Sequence, residues 1–306
     1  MPPAPPTPPA AERPVPVEAF VVDAFTLHGG GGNTAGVVVD AAGLDDRQMQ
    51  AIAAALAFSE TAFVVPDPAV DVAMRFFTPT REIDYCGHAT VAAFALLAAR
   101  GRLRAAELVQ GTRAGRLRVR LAADGEVLMN QTLPRFGQEL AAAPLAKLLG
   151  IDVAAIRATG LPVQIVSTGL ADILVPVADE ACLARVQPDL AALAAYCREA
   201  GAIGAHVFAP AAPGAPYTAA CRNFAPLFGI DEESATGSAA GALACYLSRH
   251  ADPRGERYGD RYVFAQGSQM GRASRLSASV ERSGGTLAGI VVGGYARLVG
   301  TTTLSV

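Results

Sequence analysis

Arg75-Phe76-Phe77-Thr78-Pro79, then Asp84-Tyr85-Cys86-Gly87-His88-Ala89-Thr90, lead into an apolar run that lasts to Ala99. The same construction returns later in the chain. Arg222-Asn223-Phe224-Ala225-Pro226 and Glu233-Ser234-Ala235-Thr236-Gly237-Ser238-Ala239-Ala240 lead into an apolar run that lasts to Leu247. Each unit reads as a strand end, a polar turn with Gly, and a helix. The first amides of a helix have no partner within it and sit at the positive end of its dipole, so two such starts are two potential anion sites. Ala89–Ala99 and Ala239–Leu247 are apolar on all sides, and a helix apolar on every face is buried on every face. The pattern predicts an α+β chain of two pseudo-symmetric domains, each a strongly curved sheet around a central helix, facing one cleft.

Strand-like runs surround these units. In the first half they are Phe20–Phe25, Val37–Asp40, Thr61–Val65, Ala73–Phe77, Leu117–Leu121 and Val127–Gln131. The second half has Val163–Ser167, Ile173–Val177, His206–Ala209, Tyr262–Ala265, Leu276–Val280 and Ala288–Val292, most of them β-branched in character. Asp45 or Asp46 caps a helix whose Met49, Ile52, Ala53 and Leu56 share a face. Further helices are expected over Glu139–Leu149 and Leu190–Glu199. The domain boundary falls near Leu133-Pro134. This divides the chain into a Pro/Ala-rich tail (1–16), a first domain (17–133), a second (134–294) and a final strand (295–306) returning to the first.

Composition excludes several classes of function. Hydrophobic residues are 51 % and charged ones 17 % of the 306 residues, which describes a large core and not a disordered chain. A net charge of −3 with scattered Lys and Arg, no Trp and 6 % aromatics offers nothing to nucleic acid. No apolar run reaches the roughly 18 residues of a membrane span. The start of the chain, Pro2-Pro3-Ala4-Pro5-Pro6, has no secretory h-region, and its five cysteines read as free thiols, so a cytoplasmic location is expected. Cysteines and histidines are dispersed without metal-ligand spacing. Gly29–Gly32 lacks the dinucleotide spacing, and no Gly-x-Ser-x-Gly elbow occurs. No metal or organic cofactor is expected.

The motifs together resemble the PhzF family, the phenazine-biosynthesis-like isomerases with the diaminopimelate epimerase fold. The resemblance rests on Val22-Asp23-Ala24-Phe25-Thr26 with Gly32-Asn33, on Ser59-Glu60-Thr61-Ala62-Phe63, on the two repeated units, on Ser167-Thr168-Gly169 and on Gln266-Gly267 with Met270-Gly271-Arg272. It implies a cofactor-independent isomerase of a small carboxylate, working in an inter-domain cleft and usually as a homodimer. Two departures stand out. Thr34 follows Asn33 where Pro is usual, and Glu233 stands where the family turn usually has Asp.

Glu60 precedes a run that reads as buried strand, and a carboxylate against apolar surface has its pKa raised toward neutrality. A solvated turn residue is the ordinary reading, and the resemblance makes Glu60 the proton carrier instead. His88 either caps its helix or faces the cleft. Glu233 either belongs to the solvated run Asp231-Glu232-Glu233 or is a second cleft carboxylate. Ser238 joins these as a candidate for orienting substrate and sharing protons. Gly87, Thr236, Gly237 and Cys86 are candidates for substrate binding, through the donors of the two helix starts. Arg75 and Arg222 are read as anchors of the strand ends.

Two rival functions are kept. In related racemases two facing cysteines exchange a proton, and Cys86 resembles the first. Aligning the second motif on Thr236-Gly237 puts Ser234 at the other thiol position, where a hydroxyl is a poor base. The other rival is a non-catalytic small-molecule binding protein of the same fold.

Overall fold

The computed structural model describes residues 15–256, 259–284 and 286–306. The first half contains β1 (Pro16–Ala24), β2 (Asn33–Val38), α1 (Asp46–Leu56), β3 (Thr61–Val65), β4 (Val72–Phe77) and β5 (Glu82–Ile83). It continues with α2 (Gly87–Ala99), β6 (Glu107–Thr112), β7 (Gly115–Leu121) and β8 (Val127–Asn130). The second half opens with β9 (Arg135–Leu140), α3 (Ala142–Leu148), α4 (Val153–Arg157), β10 (Val163–Ser167), β11 (Ala171–Pro176), α5 (Glu180–Ala184) and α6 (Leu190–Ala200). Then come β12 (Gly204–Pro210), β13 (Ala219–Ala225), β14 (Ile230–Glu233), α7 (Gly237–His250), β15 (Arg261–Gln266), β16 (Ser274–Ser283), β17 (Thr286–Gly294) and β18 (Ala296–Ser305).

The chain is α+β, and its strands form one hydrogen-bonded network. Most neighbours are antiparallel, but β2–β3, β4–β6, β11–β12 and β13–β15 are parallel. The halves are joined where β18 runs antiparallel to β1, from Pro16 opposite Ser305 to Ala24 opposite Ala296, and where β8 pairs with β17. The last strand therefore lies beside the first.

α2 packs on β1, β2, β3, β8 and β18, while α7 packs on β10, β11, β16 and β17. Both helices are buried nearly throughout, as their all-round apolar composition requires. Their cores merge into one cluster that includes Phe20, Phe94, Phe208, Tyr246 and Phe264. Burying such side chains is worth roughly 1.5–3 kcal/mol each, so this cluster is the main source of stability for the sheet network. A second apolar layer carries α3 to α6 on the outer side of the second half. β11 serves both layers by alternation: Leu174 enters the central cluster, while Ile173 and Val175 enter the outer one.

Two local expectations change and a third narrows to one of its alternatives. Residues 139–140 do not start a helix; they close β9, where Glu139 lies opposite Gln164 and Leu140 opposite Val163. The sheet edge offered by β10 outweighs the local helical tendency, and α3 begins at Ala142, with Pro144 in its first turn, where Pro is tolerated. Of the proposed tail, residues 1–14 lie outside the described residues. Pro16 already belongs to β1, and Val15 N–H donates to the Val306 carbonyl at 2.7 Å. Asp45, not Asp46, is the cap of α1, in a reciprocal pair with Gln48.

Candidate active site

The two repeated units build the same clamp. Arg75 donates through Nε and Nη2 to both oxygens of Glu82, each at 2.8 Å. Arg222 does the same with Glu232, again at 2.8 Å for each bond. Each guanidinium also lies over the ring two residues along, Phe77 in one case and Phe224 in the other. Bidentate pairs of this kind fix geometry as well as charge. Both arginines are therefore anchors of the strand ends, as read from the sequence.

From each clamp the chain turns into its buried helix. Cys86 is the N-cap of α2 and Thr236 the N-cap of α7. Gly87 and Gly237 are the first helical residues, followed by His88 and Ser238. This register corrects the sequence alignment of the thiol position: the counterpart of Cys86 is Thr236, not Ser234. Ser234 corresponds to Asp84, and its hydroxyl donates to the Gly32 carbonyl at 3.0 Å. Neither N-cap side chain closes a cap hydrogen bond, so neither helix start is blocked by its own cap. α2 and α7 touch, and their starts approach one another through the side chains that follow.

His88, buried to 4 % exposure, is the centre of the site. Its Nε2 lies 3.3 Å from Glu60 Oε2 and 3.5 Å from Ser59 Oγ. Its Nδ1 lies 3.4 Å from Asn33 Nδ2, 3.4 Å from Cys86 Sγ and 3.8 Å from Glu233 Oε1. Burial lowers the pKa of the ring, against the opposing pull of Glu60, and favours the neutral imidazole. Glu60 Oε2 is a buried atom that makes no geometrically acceptable hydrogen bond among the described residues. An unpaired carboxylate oxygen beside a neutral imidazole is free to take a proton.

Glu233 is held on both oxygens. Asn33 Nδ2 donates to Oε1 at 2.9 Å, and the Thr236 hydroxyl donates to Oε2. Thr236 is fixed in turn by Gln266, whose Nε2 donates to Thr236 Oγ1 at 3.1 Å and to the Glu233 carbonyl at 2.7 Å. Burial pushes the Glu233 carboxyl up to about 8 and outweighs the two hydrogen bonds that favour the anion; the charge of Glu60 adds to the rise. Burial thus favours the protonated form of Glu233 far more than that of an ordinary carboxyl. Burial, followed by the Glu60 charge, also pushes the Cys86 thiol well up.

The fold thus brings Glu60, Cys86, His88 and Glu233 together, with Gly87 and Gly237 at the helix starts beside them. Ser238 is partly exposed, and its carbonyl accepts from Thr168 Oγ1 at 3.1 Å. Thr236 acts on Glu233. Sequence reasoning missed Asn33 and Gln266 as site residues, although both stand in the motifs quoted above. It also saw no metal-ligand spacing, whereas the fold places one ligand atom each of Glu60, Cys86 and His88 within 4.8 Å of one another. A thiol whose pKa is raised is a reluctant ligand, so this donor set suits proton handling better than a resident ion.

Two acids thus flank a buried imidazole between two helix starts. Comparison with known proteins gives the class: residues 22–301 match the family model for the phenazine biosynthesis-like proteins, PhzC-PhzF. The chain belongs to this family and is an isomerase of it. An uncharacterized isomerase of Deinococcus radiodurans is 38 % identical over 284 residues, covering 90 % of each chain. The trans-2,3-dihydro-3-hydroxyanthranilate isomerase of Pseudomonas aeruginosa is 32 % identical over 280 residues, covering 90 % of this chain and 94 % of its own. A Bacillus anthracis PhzF-family phenazine biosynthesis protein superposes with a TM-score of 0.86 at 29 % identity, covering 95 % of this chain and 99 % of its own. A hydroxyproline epimerase from Agrobacterium vitis shares the fold alone, with a TM-score of 0.65 at 10 % identity over 96 % of this chain and 93 % of its own. Among the described residues no helix is long and apolar enough to cross a membrane.

Proposed function

We propose that the chain is a cofactor-independent isomerase of a small carboxylate, in which Glu60 removes a proton from an activated carbon and returns it to another position of the same π-system. The observation that carries this reading is the buried, unbonded Glu60 Oε2 beside His88, with Glu233 on the other side of the ring. The substrate carboxylate sits at the helix starts of Gly87 and Gly237, where backbone N–H groups and the dipoles favour an anion. Cys86 and Thr236 line that seat, and Ser238 orients a polar group of the substrate. His88 and Glu233 share protons with the reacting system. The division into domains at about Leu133-Pro134, a cytoplasmic location and a homodimer belong to the same reading.

The racemase alternative is less well supported. Thr236 stands where the second thiol would be, and Cys86 is held in its neutral form by burial.

Glu60→Gln keeps the shape of the side chain and removes its basicity. The expected loss in turnover is about 10²–10⁴-fold, the usual contribution of a general acid–base group. Circular dichroism and thermal unfolding establish that the variant is folded, and near-normal proton exchange in heavy water by that folded variant sinks the mechanism. Glu233 is one methylene longer than the family Asp, which shifts its carboxyl by roughly an ångström, enough to disturb aligned reacting groups. Weak turnover of trans-2,3-dihydro-3-hydroxyanthranilate is therefore expected, rising in Glu233→Asp. Efficient wild-type turnover, unchanged by that substitution, makes the extra methylene neutral.

A further inference from the structure

Asn33 opens β2 at the rim of the first half, yet its partners lie in both halves. Its Nδ2 is 2.9 Å from Glu233 Oε1, 3.2 Å from the Ala235 carbonyl and 3.4 Å from His88 Nδ1. The orientation of the amide follows from these neighbours. The Ala235 carbonyl can only accept, so the NH₂ must face it; the flipped amide would set Asn33 Oδ1 against that carbonyl. The NH₂ is therefore a donor at the one place where it also meets the imidazole.

The two faces of the His88 ring then differ in kind. Nδ1 lies 3.4 Å from both the Asn33 amide and the Cys86 thiol, which can donate to it, with Glu233 Oε1 farther off at 3.8 Å. Nε2 meets the carboxylate oxygen Glu60 Oε2 at 3.3 Å and the Ser59 hydroxyl at 3.5 Å. A neutral imidazole has one N–H, and the hydrogen bonds of its surroundings decide which nitrogen carries it.

We propose that Asn33 is a positioning residue that holds neutral His88 with its proton on Nε2, on the side of the ring lined by Glu60 and Ser59, while tying Glu233 into the same network. The inference deepens the proton-shift reading given above and uses its assignment of Glu60. Asn33 touches no reacting atom; it acts through His88 and Glu233. It also explains why one amide is shared by three partners: it couples the acid of the second half to the histidine of the first.

The tautomer can be read without a substrate. Long-range ¹H–¹⁵N correlation spectra of the full-length protein, labelled at histidine and assigned through a His88→Gln spectrum, distinguish the protonated from the bare ring nitrogen. In wild type at neutral pH, His88 should show a protonated Nε2 and a bare Nδ1. Glu60→Gln should keep that tautomer, because it leaves the Asn33 and Cys86 contacts of Nδ1 in place. Asn33→Asp replaces the donor by an acceptor and should transfer the ring proton to Nδ1 in a protein that still unfolds cooperatively. A protonated Nδ1 in wild type overturns the proposal, and so does an unchanged tautomer in folded Asn33→Asp. Should the Asn33→Asp protein not fold, the wild-type spectrum alone decides. Full activity of Glu60→Gln would remove the catalytic reading and leave the tautomer result standing, so the two failures are distinguishable.

Discussion

The hairpin before α2 and the hairpin before α7 share a clamp, but the second is longer between its Arg and Glu (ten residues against seven), carries a register shift, and differs at the cross-strand pair next to the clamp. In the first, Phe76 lies opposite Ile83; in the second, Asn223 lies opposite Glu233. Equivalent positions beside the two clamps thus carry an apolar pair in one half and a carboxylate in the other. Cross-strand pairs set the character of a sheet face, so exchanging one pair is enough to give one half an acid that its counterpart lacks. The acid of the first half comes from elsewhere, from Glu60 just before β3. The molecule is symmetric where it needs stiffness and asymmetric where it needs chemistry.

Making the second hairpin like the first is the strongest way to break this contrast. Glu233→Ile should lower turnover by about 10²-fold, since a proton-bearing group is lost from the site. Glu233→Gln sharpens the result through pH. The folded-state pKa of Glu233, about 8, lies above the ordinary carboxyl value of 4.5, so the folded chain keeps a proton that the unfolded chain releases. Its contribution to stability is complete below about pH 4.5 and is lost as pH rises to about 8. Asp172, which burial alone pushes up to about 7, acts with the same sign. Urea denaturation from about pH 5 to 8 should therefore show wild type losing stability faster than Glu233→Gln. Parallel slopes would mean that Glu233 is ionised throughout.

The clamps offer a second contrast, this time in stability. Arg222 is 9 % exposed and also donates to the Leu183 and Val186 carbonyls, at 3.2 and 2.7 Å. Removing it by Arg222→Met strands Glu232 and two carbonyls in the interior, a loss of about 3–5 kcal/mol. Arg75 is 25 % exposed, and Glu82 keeps a second partner in Arg113 at 2.5 Å. Arg75→Met should cost only about 1 kcal/mol. Denaturant midpoints for the two variants test the ranking, and equal losses would show that solvent reaches the second clamp as readily as the first.

Much of the fold was legible because it rests on long apolar patterns. The two all-apolar helices, the α1 face of Met49, Ile52 and Ala53, and the strands Thr61–Val65 and Val163–Ser167 follow from local composition. β9 was not legible, because its strand state is set by pairing with β10 and not by its own residues. The site divides in the same way. Glu60, His88 and Glu233 could be picked out beside turns and strand ends, whereas Asn33 acts through Glu233, 200 residues away, and no local signal shows such a contact. The environment of Glu233, likewise, comes from Thr236 in its own turn and from Gln266 and Asn33, which the fold alone brings to it.

The smallest expected effect concerns the two N-caps. Cys86 and Thr236 occupy equivalent positions, yet only Thr236 bonds an acid, and Cys86 packs against His88 with its thiol kept neutral by burial. Cys86→Ser replaces a weak S–H donor by a better O–H donor toward the same Nδ1 and leaves Glu60 and Glu233 untouched. Turnover should change by less than about tenfold, less than a general acid–base group contributes. Thr236→Val, which is nearly the same shape but removes the hydroxyl from Glu233 Oε2, should cost more than Cys86→Ser. Measuring both variants side by side decides between the two chemistries. A loss of several orders of magnitude in Cys86→Ser, with Thr236→Val nearly silent, would move the proton transfer from the carboxylates to the thiol.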